Sequence, residues 1–189
     1  TELQDDPAFR QRIAKGAQFL DSLLEKEGVI YGVTTGYGDS CVVAVPLHQV
    51  EALPQHLFTF HGCGLGRLLD AESTRAVLAA RLRSLTHGVS GVRLELVERL
   101  QQFLEQDILP LIPEEGSVGA SGDLTPLSYV AAALAGERDV KFGGGRRDAD
   151  FVRAVAARTQ RLTYSDRPDL RRLLGRRSRR PAILTYSDR

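Results

Sequence analysis

The sequence predicts a mainly α-helical protein. Apolar residues recur at helical spacing over several long stretches, the alternating pattern of strands is scarce, and proline and glycine clusters separate the stretches. At 189 residues the chain is long enough to bury the core of one ordinary domain.

The first predicted helix covers residues 7–26, and Gly28 ends it. Its apolar positions are Ile13, Ala17, Leu20 and Leu24. Val29 to Tyr31 then predict a short extended stretch that leads into a glycine-broken loop. Residues 46–69 predict two helical pieces, separated by a loop around Gly62–Gly66.

Two longer helices follow. Asp70 is a suitable N-cap for a helix that ends at Leu85 and buries Leu78, Leu82 and Leu85. A helix from Val92 to Ile108 carries a broad apolar stripe. Pro110 and Pro113 stop it and open a glycine-rich loop. After that loop, Pro126 fits a first helical turn, and Ser128–Leu134 continues as helix.

Charge divides the chain into two unlike segments. Residues 1–140 carry 11 Lys and Arg against 19 Asp and Glu, whereas residues 141–189 carry 14 against 5. An abrupt shift of this kind marks a boundary. We therefore predict two regions, a domain over 1–140 and a basic tail over 141–189.

The tail repeats itself, since Leu162–Arg167 and Leu184–Arg189 are the same six residues. Two copies are too few for a solenoid. We interpret the tail as a solvated helix or a disordered end outside the domain. A patch for nucleic acid or an acidic partner and a changed coding frame stay open as alternatives, but we do not expect nucleic-acid binding.

The two cysteines, Cys41 and Cys63, predict free thiols in a reducing cytoplasm. For Cys63, a small buried filler is favoured over a reactive thiol. No apolar run approaches the roughly 20 residues that a membrane span needs, so we expect no membrane association.

The most informative motif is Gly116-Ser117-Val118-Gly119-Ala120-Ser121-Gly122-Asp123-Leu124. Its Ala-Ser-Gly core can cyclise when the amide nitrogen of Gly122 attacks the carbonyl carbon of Ala120. Glycine leaves the attacking nitrogen unhindered because it lacks a Cβ, and small Ala120 leaves the carbonyl open. Ser121 then supplies the hydroxyl that is lost as water, which creates a methylidene group.

This motif occurs together with Tyr31–Gly38 (YGVTTGYG) and Phe60–Gly66 (FHGCGLG), and from about Pro7 to Val140 the chain resembles the histidine/phenylalanine/tyrosine ammonia-lyase family. The resemblance implies a carbon–nitrogen lyase of the aromatic amino-acid lyase fold. Its electrophile would be methylidene-imidazolone (MIO), made from Ala120, Ser121 and Gly122, with no external cofactor or metal. It also implies an amino-acid substrate and a homotetramer.

The resemblance assigns further roles residue by residue. Tyr31 matches the catalytic tyrosine, and its surroundings must favour the phenolate if it is to act as a base. Gly38 would contact substrate. Phe60 and His61 match the pair of residues that sets selectivity for the aromatic substrate in the family. Phe-His is a hybrid of the family's combinations, so the choice among histidine, tyrosine and phenylalanine as the substrate stays open.

The chain departs from the family pattern in two ways. Pro54 replaces a glutamine and His56 an asparagine near the site. After Val140 we find no motif of the family's long helical bundle, which carries the carboxylate-binding arginine. We therefore expect the apolar stripe of the 92–108 helix to lack a partner, and the isolated chain to have little or no lyase activity.

Three functions stay open. The first is an ammonia-lyase. The second is an aminomutase with the same electrophile, since Thr34-Thr35 resembles the sequence at this place in some of that subgroup. The third is a non-catalytic fragment that acts as an interaction module through its tail.

Overall fold

Helices dominate the part of the chain that the computed structural model describes, which is residues 6–26, 28–50, 52–118, 122–148 and 151–152. The helices are α1 (Pro7–Glu25), α2 (Leu47–Val50), α3 (Leu53–His61), α4 (Ala71–Leu85), α5 (Leu94–Glu105) and α6 (Leu124–Leu134). The strands are β1 (Leu65–Leu68), β2 (Leu109–Pro110), β3 (Pro113–Glu115), β4 (Val140–Phe142) and β5 (Gly145–Arg147). The predicted mainly α class is confirmed.

Side-chain caps begin the two longest helices. Asp6 accepts a hydrogen bond from the Ala8 amide at the start of α1. The Asp70 carboxylate accepts from the Ser73 amide at 2.7 Å, as predicted for the start of α4. Capping is local in sequence, which explains why these helix starts could be predicted.

Helices α1, α4, α5 and α6 enclose one hydrophobic core. Its most completely buried side chains include Ile13, Leu78, Leu85, Val97, Leu100, Phe103, Ile108, Leu109, Ile112 and Val140. The expectation that the stripe of the 92–108 helix lacks a partner is therefore wrong, because Val97, Leu100 and Phe103 pack inside this chain.

Helix α5 is also shorter than predicted and ends at Glu105. Asp107 adopts a φ of 56°, and the Ile108 amide bonds back to the Phe103 carbonyl at 2.8 Å. The chain thus turns out of the helix while Ile108 remains in the core.

Two small antiparallel sheets connect distant segments. In one, β1 pairs with β3, with Leu65 opposite Glu115 and Leu68 opposite Pro113. The prediction of helix up to residue 69 is wrong, because both helical pieces lie before Gly62 and the segment after it pairs as a strand. In the other sheet the strand order is β2-β4-β5.

Helix α6 is anchored at its carboxyl end. Buried Arg99 of α5 donates a hydrogen bond to the Leu134 carbonyl at 3.1 Å, and a cation there complements the helix dipole. Strand β4 begins at Val140 and pairs with β2, so the hairpin after residue 140 joins the same sheet. The domain boundary at 140 stays a prediction, and the repeats and arginine cluster of the tail lie outside the described residues.

Candidate active site

The Tyr31 loop, residues 28–45, is held by hydrogen bonds within itself. The Thr34 hydroxyl accepts from the Ile30 amide at 2.8 Å and donates to the Gly28 carbonyl at 3.1 Å. Thr35 is buried and forms a bridge with Ala44. A 3₁₀ helix over Gly38–Val42 fills the loop between these bonds. The two threonines of the motif therefore shape the loop that carries Tyr31.

The Tyr31 side chain is 65% exposed, and its phenolic oxygen accepts a hydrogen bond from the Gly38 amide at 3.0 Å. The φ of Gly38 is 55°, a value that favours glycine. An N–H donor at this oxygen stabilises negative charge that forms there. Gly38 thus acts on Tyr31 through its backbone.

A second tyrosine lies edge-on to Tyr31, with the ring centroids of Tyr31 and Tyr37 6.3 Å apart. Burial, and secondly the neighbouring Tyr31, raise the pKa of Tyr37 above its ordinary value. The two tyrosines therefore differ in burial: Tyr37 is half-buried, whereas Tyr31 is exposed.

The Phe60–His61 pair forms the last turn of α3. Phe60 is 79% exposed and His61 is half-buried, and their rings meet edge to face at 5.3 Å. The departures Pro54 and His56 lie on the same helix and are both exposed. Pro54 fits because it occupies the first turn, where no amide donor is required.

The loop of the Ala-Ser-Gly motif begins after β3 and ends at α6. Ala120 and Ser121 lie outside the described residues, whereas Gly122 is described at the end of the loop. Gly122 has a φ of 73°, and its carbonyl accepts a hydrogen bond from the Ser117 hydroxyl at 2.5 Å. This bond draws Ser117 and Gly122 together at the two ends of the loop.

The structure brings the Phe60–His61 helix end to the base of this loop. A Cβ at Gly64 would touch the Pro113 side chain at 3.0 Å, and one at Gly116 would lie 3.1 Å from the Gly64 Cα and 2.6 Å from the Thr125 methyl group. A side chain at Gly116 would force its neighbours to move, and one at Gly64 would be tightly crowded. Pairing of β1 with β3 fixes the same approach.

Sequence reasoning missed three residues that hold this arrangement. They are Ser117, Tyr129 and Arg138; the last two contact the backbone of Gly64 and Gly62. The partners of Tyr129 and Arg138 lie far away in the sequence, so no local pattern could identify those two contacts, whereas Ser117 bonds to Gly122 within the motif itself.

The structure does not bring every predicted residue together. No hydrogen bond, ion pair or ring contact joins the Tyr31 loop to residues 60–66 or to 116–118 and 122 in the described part of the chain. Cys63 is exposed, so the favoured interpretation as a buried filler is wrong; it lies between two glycines at the surface.

A shallow groove of about 400 Å³ lies on the other side of Gly122, between α4 and the start of α6. Its lining is Val77, Ala80, Arg81, Ser84, Gly122, Asp123, Pro126 and Leu127, which includes neither Phe60 nor His61. Over the described ranges, no three His, Cys, Asp or Glu side chains group as metal ligands would. The described helices also include none with the length and apolar character of a membrane span.

Comparison with known proteins gives consistent matches. The family model for aromatic amino acid lyases matches residues 1–165. A histidine ammonia-lyase of Staphylococcus aureus (strain MRSA252) is 40% identical over 151 residues, which is 80% of this chain and 30% of the relative. The chain thus spans about three tenths of the length of the curated relatives that it matches.

Solved structures agree with these matches. A mutant tyrosine aminomutase superposes with a TM-score of 0.73 at 36% identity, over 84% of this chain and 30% of that one. Histidine ammonia-lyase from Trypanosoma cruzi gives a TM-score of 0.69 at 29% identity, over 84% and 30% of the two chains.

Proposed function

Because the chain belongs to the aromatic amino acid lyase family, we propose that it carries the electrophile-forming and substrate-facing loops of an ammonia-lyase for an aromatic amino acid. The strongest support is the approach of Gly64 to Gly116, since it brings the helix end with Phe60 and His61 to the loop that ends at Gly122. Histidine, tyrosine and phenylalanine are the candidate substrates.

The proposed electrophile is MIO, formed from Ala120, Ser121 and Gly122. This group supplies an electron-accepting carbon, which no ordinary side chain provides. The contribution of the described residues is to hold the loop: Gly122 tolerates its φ of 73° without strain, and the Ser117 hydroxyl binds its carbonyl. A loop held at Gly122 in this way supports the proposal that the ring forms there.

The proposed base is Tyr31, whose phenolic oxygen would take the β-proton of the substrate. The Gly38 amide already points at that oxygen, so charge that develops there is stabilised without reorganisation. Phe60 offers an exposed apolar ring and His61 a polar edge, which together suit a flat aromatic side chain.

A trapping experiment tests this proposal. The purified chain is treated with cyanide, a small nucleophile, and the peptide that contains residues 116–127 is analysed by mass spectrometry. We expect the wild type to gain the nucleophile and Ser121→Ala to gain none, because alanine has no hydroxyl to eliminate. Ser90→Ala, at an exposed serine, is the control. Equal labelling of wild type and Ser121→Ala would contradict the proposal.

An aminomutase is the second candidate, and the similarity to tyrosine aminomutase favours it. It would use the same residues but return ammonia to the β-carbon. Incubation with L-tyrosine or L-phenylalanine separates the two: a lyase releases ammonia and the unsaturated acid, whereas an aminomutase yields the β-amino acid.

We also propose that the protein assembles as a homotetramer. Large apolar side chains surround the candidate site and are exposed in the single chain, namely Phe60, Leu65, Val118 and Leu124. Assembly would remove such exposed apolar side chains from water. The mass in solution tests the proposal, and a monomer at all concentrations would contradict it.

A further inference from the structure

We propose that Tyr129 and Arg138 form a clamp that fixes the Phe60–His61 pair relative to helix α6, and that both are positioning residues for substrate selectivity. The clamp comprises these two side chains and the backbone of Gly62 and Gly64. The inference rests on the proposed function of the pair as substrate contacts, and it extends that function to residues that no sequence motif marks.

The contacts of the clamp are specific. The Arg138 guanidinium donates to the Gly62 carbonyl at 2.8 Å and lies over the Tyr129 ring, with its Cζ 4.2 Å from the ring centroid. The Tyr129 hydroxyl accepts from the Gly64 amide at 3.0 Å. Tyr129 is 7% exposed, so water competes little for this bond.

The clamped backbone is the continuation of the selectivity pair. Gly62 directly follows His61 and caps the carboxyl end of α3, where a cation complements the helix dipole. A Cβ at Gly62 would collide with the Arg138 guanidinium and lie 2.7 Å from the Phe58 carbonyl. The glycine thus allows the arginine to reach the helix end.

The other side of the clamp is tied to the electrophile loop. Tyr129 belongs to α6, which begins two residues after Gly122. At the far end of α6, Gly136 adopts a φ of 73°, and the Glu137 amide bonds to the Ala132 carbonyl at 2.8 Å, which turns the chain back. This turn places Arg138 over the Tyr129 ring. The clamp therefore sets the distance between the Phe60–His61 pair and the helix that follows the proposed electrophile.

Three variants of the 189-residue chain test the clamp. Tyr129→Phe removes only the hydroxyl, which accepts from the Gly64 amide and donates to the Gly64 carbonyl, and Arg138→Gln removes the cation. Arg146→Gln is the control, because Arg146 is an exposed arginine that bonds to Asp139. Hydrogen exchange of the Gly64 amide and the NMR signals of the His61 imidazole are measured in each. Arg138→Lys, which keeps a cation, tests for rescue.

We expect Tyr129→Phe to speed exchange at Gly64 about three- to tenfold, the usual worth of one hydrogen bond. We also expect Tyr129→Phe and Arg138→Gln to shift the His61 signals, while Arg146→Gln leaves them unchanged and Arg138→Lys partly restores them. If Arg138→Gln does not fold, the Gly64 exchange rate and the His61 signals of Tyr129→Phe are sufficient to test the clamp. Wild-type exchange at Gly64 with unmoved His61 signals in Tyr129→Phe would overturn the proposal.

Substrate preference provides a further readout. Where ammonia is released, the ratio of kcat/KM for L-histidine to that for L-phenylalanine should change several-fold in Tyr129→Phe, and an unchanged ratio would overturn the selectivity role. Failure of the wild type to gain cyanide at residues 116–127 would count against the proposed function, whereas the exchange and His61 measurements test the clamp separately.

Discussion

At the scale of single residues, the candidate site depends on a backbone amide that donates to a side chain. The Gly38 amide donates a hydrogen bond to the Tyr31 phenolic oxygen. Burial raises the pKa of the neighbouring Tyr37 above its ordinary value. Two tyrosines of one loop therefore have different environments, and a comparison of the two tests the proposed base.

Tyr31→Phe should leave the electrophile intact but remove the base. We expect exchange of the substrate β-hydrogen with solvent to slow by about 10²–10⁴-fold, the usual cost of a lost acid–base group. Tyr37→Phe is the matched control and should change the rate only slightly. Deuterium incorporation from D₂O measures the exchange, and an unchanged rate in Tyr31→Phe would exclude Tyr31 as the base.

Phe60→Ser should move substrate preference towards histidine, and His61→Leu should move it towards phenylalanine. Each change is expected to alter transition-state discrimination by about 1–3 kcal/mol, the range for small changes in a binding pocket. Where the chain releases ammonia, ratios of kcat/KM for the two substrates measure the effect, with His48→Gln, at an exposed histidine of α2, as the control. Ratios equal to those of the wild type would place the pair outside the pocket.

At the scale of elements, helix α4 illustrates how a charged cap contributes to stability. Hydrogen bonding to the Ser73 amide is the first cause that lowers the pKa of the Asp70 carboxyl, and Lys141 adds a smaller electrostatic effect. Because the pKa is lower in the folded chain, the stabilisation is present above the unfolded-state pKa of about 4. It is lost as the pH falls through the folded-state pKa.

Asp70→Ala should therefore lower the unfolding temperature at pH 7, and the difference from the wild type should shrink as the pH falls below about 4. Asp70→Asn, which keeps a cap acceptor without the charge, should lie between the two proteins at pH 7. Thermal unfolding across this pH range is the measurement. A difference that stays constant down to acid pH would show that the carboxylate charge has no role.

The elements that could be predicted from the sequence are those whose signals are local. Asp70 and the apolar period of α4 lie within one stretch, so that helix was predicted with its start and end. Strand β1 could not be predicted, because its partner β3 lies far along the chain and glycine-rich sequence carries little strand signal. The contacts of the clamp could not be predicted for the same reason, because Gly64 and Tyr129 are 65 residues apart and Gly62 and Arg138 are 76 apart.

At the scale of the whole molecule, close backbone contacts join α1 to the rest of the core. Gly16 of α1 packs against the turn after α4, where a Cβ would lie 2.6 Å from the Gly88 carbonyl oxygen. Backbone atoms cannot move aside as a flexible side chain can. This contact therefore sets how closely α1 approaches.

Gly16→Ala should destabilise the fold by about 1–3 kcal/mol through overpacking, even though alanine is the better helix former. Gly145→Ala is the control, because a Cβ there meets open space. Chemical denaturation gives the free energy of unfolding of each variant. Stability equal to or above that of the wild type in Gly16→Ala would show that α1 can shift without cost.

The central claim is that this chain makes an electrophile from Ala120, Ser121 and Gly122, and the intact mass of the purified chain tests it most directly. Ring closure releases one water molecule and elimination of the Ser121 hydroxyl releases another. We therefore predict a wild-type mass lower than that of the amino-acid sequence by two water molecules, and a Ser121→Ala chain without the methylidene. A wild-type mass equal to that of the unmodified sequence would contradict the account.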